Sequence, residues 1–163
     1  WFSDFIRDIQ RRRFRYWKIQ LIENCMKNTN KILLASSTTN LALLRNFIES
    51  QAIAFGFDES AIYQIILSVD EACTNIIKHA HKYNENEIIE VETQSENDQF
   101  KIIMKYKGTG FNPNDLHNPD MEDYFNKFKV GGLGVPIMKK FMNKIEYVHK
   151  NSEYNYLTLI KVL

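Results

Sequence analysis

The stretch Ser68 to Ala80, SVDEACTNIIKHA, carries two stripes of different character on one helical period. Val69, Ala72, Cys73, Ile76, Ile77 and Ala80 continue an apolar spacing begun by Ile62, Ile65 and Ile66. A helix capped by Asp58 is therefore expected, its apolar positions holding phase through roughly five turns. Glu71, Asn75 and His79 fall at successive four-residue steps and form a polar stripe bordering the buried face. A carboxylate and an amide oxygen on one rigid edge suit two tasks: accepting a proton, and supplying a side-chain ligand to a magnesium ion that takes its remaining ligands from waters and phosphates. A solvated helix face has the same spacing, so the triplet alone does not separate the two readings.

Working outward, Lys31 to Ser36 has the length of a strand, and Ser37 to Asn40 supplies capping oxygens for a helix bearing Leu41, Leu44, Phe47, Ile48 and Ile53 and ending near Gly56. After Ala80 the period falls to two. Ile88 to Thr93 and Phe100 to Tyr106 read as a hairpin about the turn Ser95 to Asp98. Asn112 to Val130 is polar and weakly periodic, the signature of a functional loop. A helix to about Met142 and a last hairpin, Ile145 to His149 with Tyr154 to Val162, complete the chain. Segregated helices and strands predict an α+β two-layer sandwich, a mostly antiparallel sheet covered on one face by helices.

At 163 residues, 44% hydrophobic and 25% charged, the chain fits one soluble domain (31–163) with an appendage (1–30). The appendage reads as a basic amphipathic helix and linker, for five of the six arginines fall at Arg7, Arg11, Arg12, Arg13 and Arg15. It suits a docking or dimerising helix, which would allow a homodimer, or a segment beside a membrane or an upstream domain. A net charge of +1 argues against direct nucleic-acid binding. Cys25 and Cys73 have no metal-ligand spacing, and no run approaches the ~18 apolar residues of a membrane span or the pattern of a signal peptide. A reduced, cytoplasmic setting is expected.

Two glycine clusters flank the polar loop. Gly108-Thr-Gly110 ends a strand, where absent Cβ atoms admit a ligand, a second backbone, or simply a turn. Gly131-Gly-Leu-Gly134 opens into a helix with Pro136 in its first turn, and exposed amides at such a start bind phosphate, although glycine turns also precede helices that bind nothing.

In this order the three motifs resemble the GHKL ATP-binding fold, and within it the RsbW-like anti-sigma-factor serine protein kinases. Glu71 to Asn75 with His79-Ala80 is similar to the family's N box, Gly108-Thr-Gly110-Phe111 to its first glycine box, and Gly132-Leu133-Gly134 to its second. The resemblance covers about Lys31 to Leu163. It implies binding of ATP and Mg2+ beneath a lid at about 112–130, with magnesium on Asn75, Glu71 as acceptor of a serine proton, and phosphates cradled around Gly132 and Gly134. His79, Tyr106, Gly108, Gly110 and Leu133 would complete the nucleotide site. The implied partners are an anti-anti-sigma protein and a sigma factor.

One position departs from the family pattern. Where the first glycine box places an aspartate for the adenine amino group, this chain has Tyr106, on the strand face of Phe100, Ile102 and Met104. Losing that hydrogen bond costs ~1.5–3 kcal/mol of binding, and steric filling costs more. The rival readings are a catalytically silent binding module of the same fold and the ATP-binding domain of a sensor histidine kinase. The latter needs a phosphoacceptor histidine on a dimerising helix, and none of His79, His81, His117 and His149 lies in the N-terminal helix.

Overall fold

A computed structural model describes residues 30–110, 134–150 and 153–163. The expected N-terminal helix, the polar loop, Gly132 and Leu133 lie outside the described residues. The elements are β1 (Lys31–Ala35), a 3-10 turn (Thr38–Asn40), α1 (Leu41–Phe55), α2 (Glu59–Asn75), a π turn (Ile76–Ala80), β2 (Ile88–Glu96), β3 (Gln99–Tyr106), α3 (Gly134–Phe141), β4 (Lys144–Lys150) and β5 (Tyr154–Val162). The strands form one antiparallel sheet in the order β1-β2-β3-β5-β4, the expected α+β architecture.

Period-two alternation decides what each strand buries. Ile89, Val91 and Thr93 of β2, Phe100, Ile102, Met104 and Tyr106 of β3, and Asn155, Leu157 and Leu159 of β5 are buried. The apolar ones among them meet Leu44, Phe47, Ile48 and Ala52 of α1 and Ile65, Val69, Ala72 and Cys73 of α2 in one core. Each buried Val, Leu, Ile, Phe or Met side chain contributes about 1.5–3 kcal/mol by leaving water. Ile53, expected on the inner face of α1, is 58% exposed, because its position lies outside the stripe set by Leu44, Phe47, Ile48 and Ala52.

The helix ends follow local chemistry. Gly56 closes α1 at φ 106°, with its amide on the carbonyls of Ala52 and Ile53. Asp58 caps α2 by accepting from the Ala61 amide at 2.7 Å. The β2–β3 turn is tighter than expected: pairing runs to Glu96 and Gln99, leaving Asn97 and Asp98 as the loop, with Asn97 at φ 53°. Asparagine tolerates this left-handed conformation better than most residues.

The long second helix departs from expectation at its end. Beyond Asn75 it widens into a π turn, in which the His81 amide bonds the carbonyl of Ile76 at 3.0 Å, five residues back. Ile76, Ile77 and Ala80 stay buried, as the apolar spacing predicts. Lys82 and Tyr83 then take φ values of 50° and 61° as the chain leaves for β2.

Candidate functional site

Glu71 and Asn75 sit half-buried on the last turn of α2, and the Asn75 amide nitrogen donates to Glu71 Oε1 at 3.3 Å. Gly134, the first residue of α3, meets the same carboxylate: a Cβ there would overlap Oε1, Cδ and Cγ of Glu71. The fold thus joins the polar stripe to the end of the second glycine cluster. His79, the third residue of the expected stripe, follows four positions after Asn75. It lies in the π turn and is exposed.

The first glycine cluster is packed against the protein's own polar groups. Gly108 has φ 95°, and a Cβ on it would lie 2.8 Å from the Ala80 carbonyl oxygen at the end of the π turn. A Cβ on Gly110 would collide with the Tyr147 phenol oxygen and lie 3.0 Å from Asn155 Oδ1. Tyr106 shares the inward face of β3 with Phe100, Ile102 and Met104, as the alternation predicts. Its side chain is 1% exposed, with the ring edge-on to His81 at 5.9 Å between centroids.

Two side chains that the sequence reading did not single out hold this turn. The Lys107 carbonyl can only accept, so His81 Nε2 donates to it at 2.9 Å, and in the neutral ring Nδ1 accepts from Ser36 Oγ at 2.9 Å. Asn155, fully buried, donates through Nδ2 to the Gly108 carbonyl at 3.0 Å. Its Oδ1 accepts from Tyr147 Oη at 2.6 Å and from His149 Nδ1 at 2.8 Å. Consecutive carbonyls, those of Lys107 and Gly108, are therefore tied to different elements. The signal for Asn155 lay in the alternation Asn155, Leu157, Leu159, where a polar residue heads a buried register.

These groups fit a magnesium nucleotide unequally. With Nδ2 of Asn75 turned to Glu71, its Oδ1 is left as the hard oxygen donor that magnesium takes. The other end departs from the family pattern, since a phenol packed into the core stands at the position of the aspartate expected to meet the base. Cys73 plays no part in either end. Burial, and secondarily the charge of Asp70, push its thiol up to about 12, leaving it protonated and unreactive. Among the described residues no cluster of three or more His, Cys, Asp or Glu could hold a metal, and no helix is long and apolar enough to cross a membrane.

A family model, the histidine kinase-like ATPase domain, matches residues 34–161. Curated serine-protein kinases RsbW of Bacillus cereus (strain AH820) and Bacillus anthracis (strain A0248) are 28% identical over 113 residues, 67% of this chain and 70% of theirs. A solved structure of the RsbU and RsbW domains of a Mycobacterium tuberculosis protein superposes with a TM-score of 0.53 at 12% identity, over 83% of this chain and 33% of that one. A chain of the SiaB–SiaC complex from Pseudomonas aeruginosa gives a TM-score of 0.55 at 10% identity, over 90% of this chain and 99% of that one. At these identities the structural matches speak for the fold alone.

Proposed function

Because the chain belongs to the histidine kinase-like ATPase domain family, we propose that it is a partner-switching regulator that phosphorylates a serine of an anti-anti-sigma protein from magnesium ATP and binds a sigma factor as its alternative partner. The observation that carries this reading is the meeting of Glu71, Asn75 and Gly134 at the start of α3. Glu71 accepts the serine hydroxyl proton as the γ-phosphoryl passes to Oγ and ADP leaves. Asn75 Oδ1 would hold the magnesium ion, which would offset phosphate charge, and Gly134 stands where the helix start favours phosphate. A cytoplasmic setting goes with such partners. The similarity to serine-protein kinases named RsbW supports the choice of substrate class.

The test is transfer of labelled γ-phosphate from magnesium ATP to a co-purifying anti-anti-sigma protein. Replacing Glu71 by Gln is expected to reduce transfer by about 10²–10⁴-fold. Undiminished transfer by that variant would remove Glu71 from the chemistry.

The burial of Tyr106 favours a second reading, a module that binds the same partners without nucleotide. Calorimetric titration with magnesium ATP separates the two. Saturable heat supports the kinase, and its absence beside intact partner binding supports the silent module.

A further inference from the structure

We infer that Lys161, with Gln64, is a positioning residue that sets the start of α3 against Glu71; the inference rests on the proposed role of Glu71 and extends it to the far end of the helix. Lys161 Nζ donates to the Phe141 carbonyl, the last residue of α3, at 2.7 Å and to Gln64 Oε1 on α2 at 3.0 Å. The ammonium thereby satisfies an orphan carbonyl at a helix C-terminus, the end at which a positive charge is favoured, and fastens that end to α2. At the opposite end of α3, Gly134 lies against the Glu71 carboxylate of the same helix α2.

The two links are in register. Gln64 and Glu71 are seven residues apart, and so are Phe141 and Gly134, which is about 10.5 Å of helix in each case. α2 and α3 therefore run antiparallel with matched spans, bonded through Lys161 at one end and in close contact at the other. At the Glu71 end glycine allows contact but supplies no side chain, whereas the Lys161 end supplies directional bonds between the two helices. The backbone of β5 keeps that lysine in place, because Asn143, just past α3, donates its amide to the Ile160 carbonyl at 2.9 Å and accepts from the Val162 amide through Oδ1 at 3.0 Å. An eight-residue helix moves as a short rod, so with the following residue still tied to β5, losing the link of its last turn to α2 tilts the end that faces Glu71.

The experiment compares Lys161→Met, Gln64→Leu and Lys161→Arg with the parent chain, using hydrogen exchange of residues 134–142 together with steady-state phosphotransfer. Lys161→Met is expected to raise exchange in α3 about tenfold while β2 and β3 are unchanged, and to lower kcat about tenfold with KM within twofold. Gln64→Leu, which keeps the Phe141 bond, should show the same pattern more weakly and serves where the lysine variant does not fold. Arginine at 161 can donate to both acceptors and should restore protection and kcat. Unchanged exchange in α3, or raised exchange with unaltered kcat, overturns the inference. If the parent chain transfers no phosphate, the function proposed for Glu71 fails on its own. Raised α3 exchange restored by arginine then upholds the pinning of α3, and absence of that pattern overturns it.

Discussion

Replacing Tyr106 with Asp puts the family's expected residue into this chain, and the structure makes its effect on folding calculable. The phenol is 1% exposed and packed against His81. Removing a buried aromatic side chain costs about 3–5 kcal/mol. The introduced carboxyl adds a pH-dependent part. Burial disfavours its charged form, so its folded pKa rises above the unfolded value of about 3.9. Below that value the carboxyl is neutral in both states and adds no ionisation cost. As pH rises, the unfolded state ionises first and stability falls by up to about 1.36 kcal/mol per pH unit, until the folded pKa is passed. A folded pKa near 7 makes the variant about 2–3 kcal/mol less stable at pH 7 than at pH 5, relative to the parent chain. Urea unfolding followed by circular dichroism at the two pH values measures this, with Tyr106→Phe as a control expected within about 1.5 kcal/mol of the parent. If the carboxylate meets an adenine, magnesium ATP at a hundred times its Kd returns about 2.7 kcal/mol to the variant. A Tyr106→Asp chain within about 1 kcal/mol of the parent at pH 7 without nucleotide would refute the packed-phenol argument.

Other outcomes follow from the same contacts. Gly134→Ala should change stability by no more than about 1 kcal/mol, helix propensity offsetting the loss of the Asn75–Glu71 bond, yet cut phosphotransfer about 10²-fold because Glu71 must turn away; unaffected transfer would show that its observed position is not the working one. Asn155→Leu leaves the Gly108 carbonyl and Tyr147 without their buried partner and should cost about 2–4 kcal/mol in chemical denaturation, against under 1 kcal/mol if the network were dispensable. Asp58→Ala removes the cap of α2 and should cost about 1 kcal/mol by the same measurement. In a Cys25→Ser background the Cys73 thiol should resist alkylation at pH 8.5, where a free cysteine is about half thiolate, and react readily once urea unfolds the chain; rapid native-state labelling would contradict the thiol's burial.

Much of the architecture was legible because it rests on local periodicity. The stripe from Ile62 to Ala80, the alternation from Phe100 to Tyr106 and the Asp58 cap each declare themselves within a few residues, and each appears as read. The meeting of Glu71 with the start of α3 was legible only through motif order, since more than sixty residues separate the partners. The π turn was hidden, because Ile76, Ile77 and Ala80 satisfy an α-helical spacing equally well. At its end His81 bonds Ser36 and Lys107, long-range contacts that no local pattern encodes. The extra exposure of Ile53 is a matter of phase on α1. The hub at Asn155 had a local sign, a polar residue in a buried register, but its partners come from β3 and β4.

The glycines at 108, 110 and 134 bear on how such sequences diverge. Each makes room for a group of the protein itself: the Ala80 carbonyl, the Tyr147 hydroxyl and the Glu71 carboxylate. Selection for folding alone would therefore preserve Gly108, which has a positive φ and faces a backbone carbonyl, and Gly110, which faces the buried Asn155 network, in a lineage that had abandoned nucleotide. Gly134, by contrast, is held only as long as Glu71 keeps its place. Asn75 is under no such protection, since its hydrogen bond goes to another site residue, and Glu71 can turn aside at small cost. Among descendants of this fold, the asparagine would drift first, and its survival is a better record of retained chemistry than the glycine boxes.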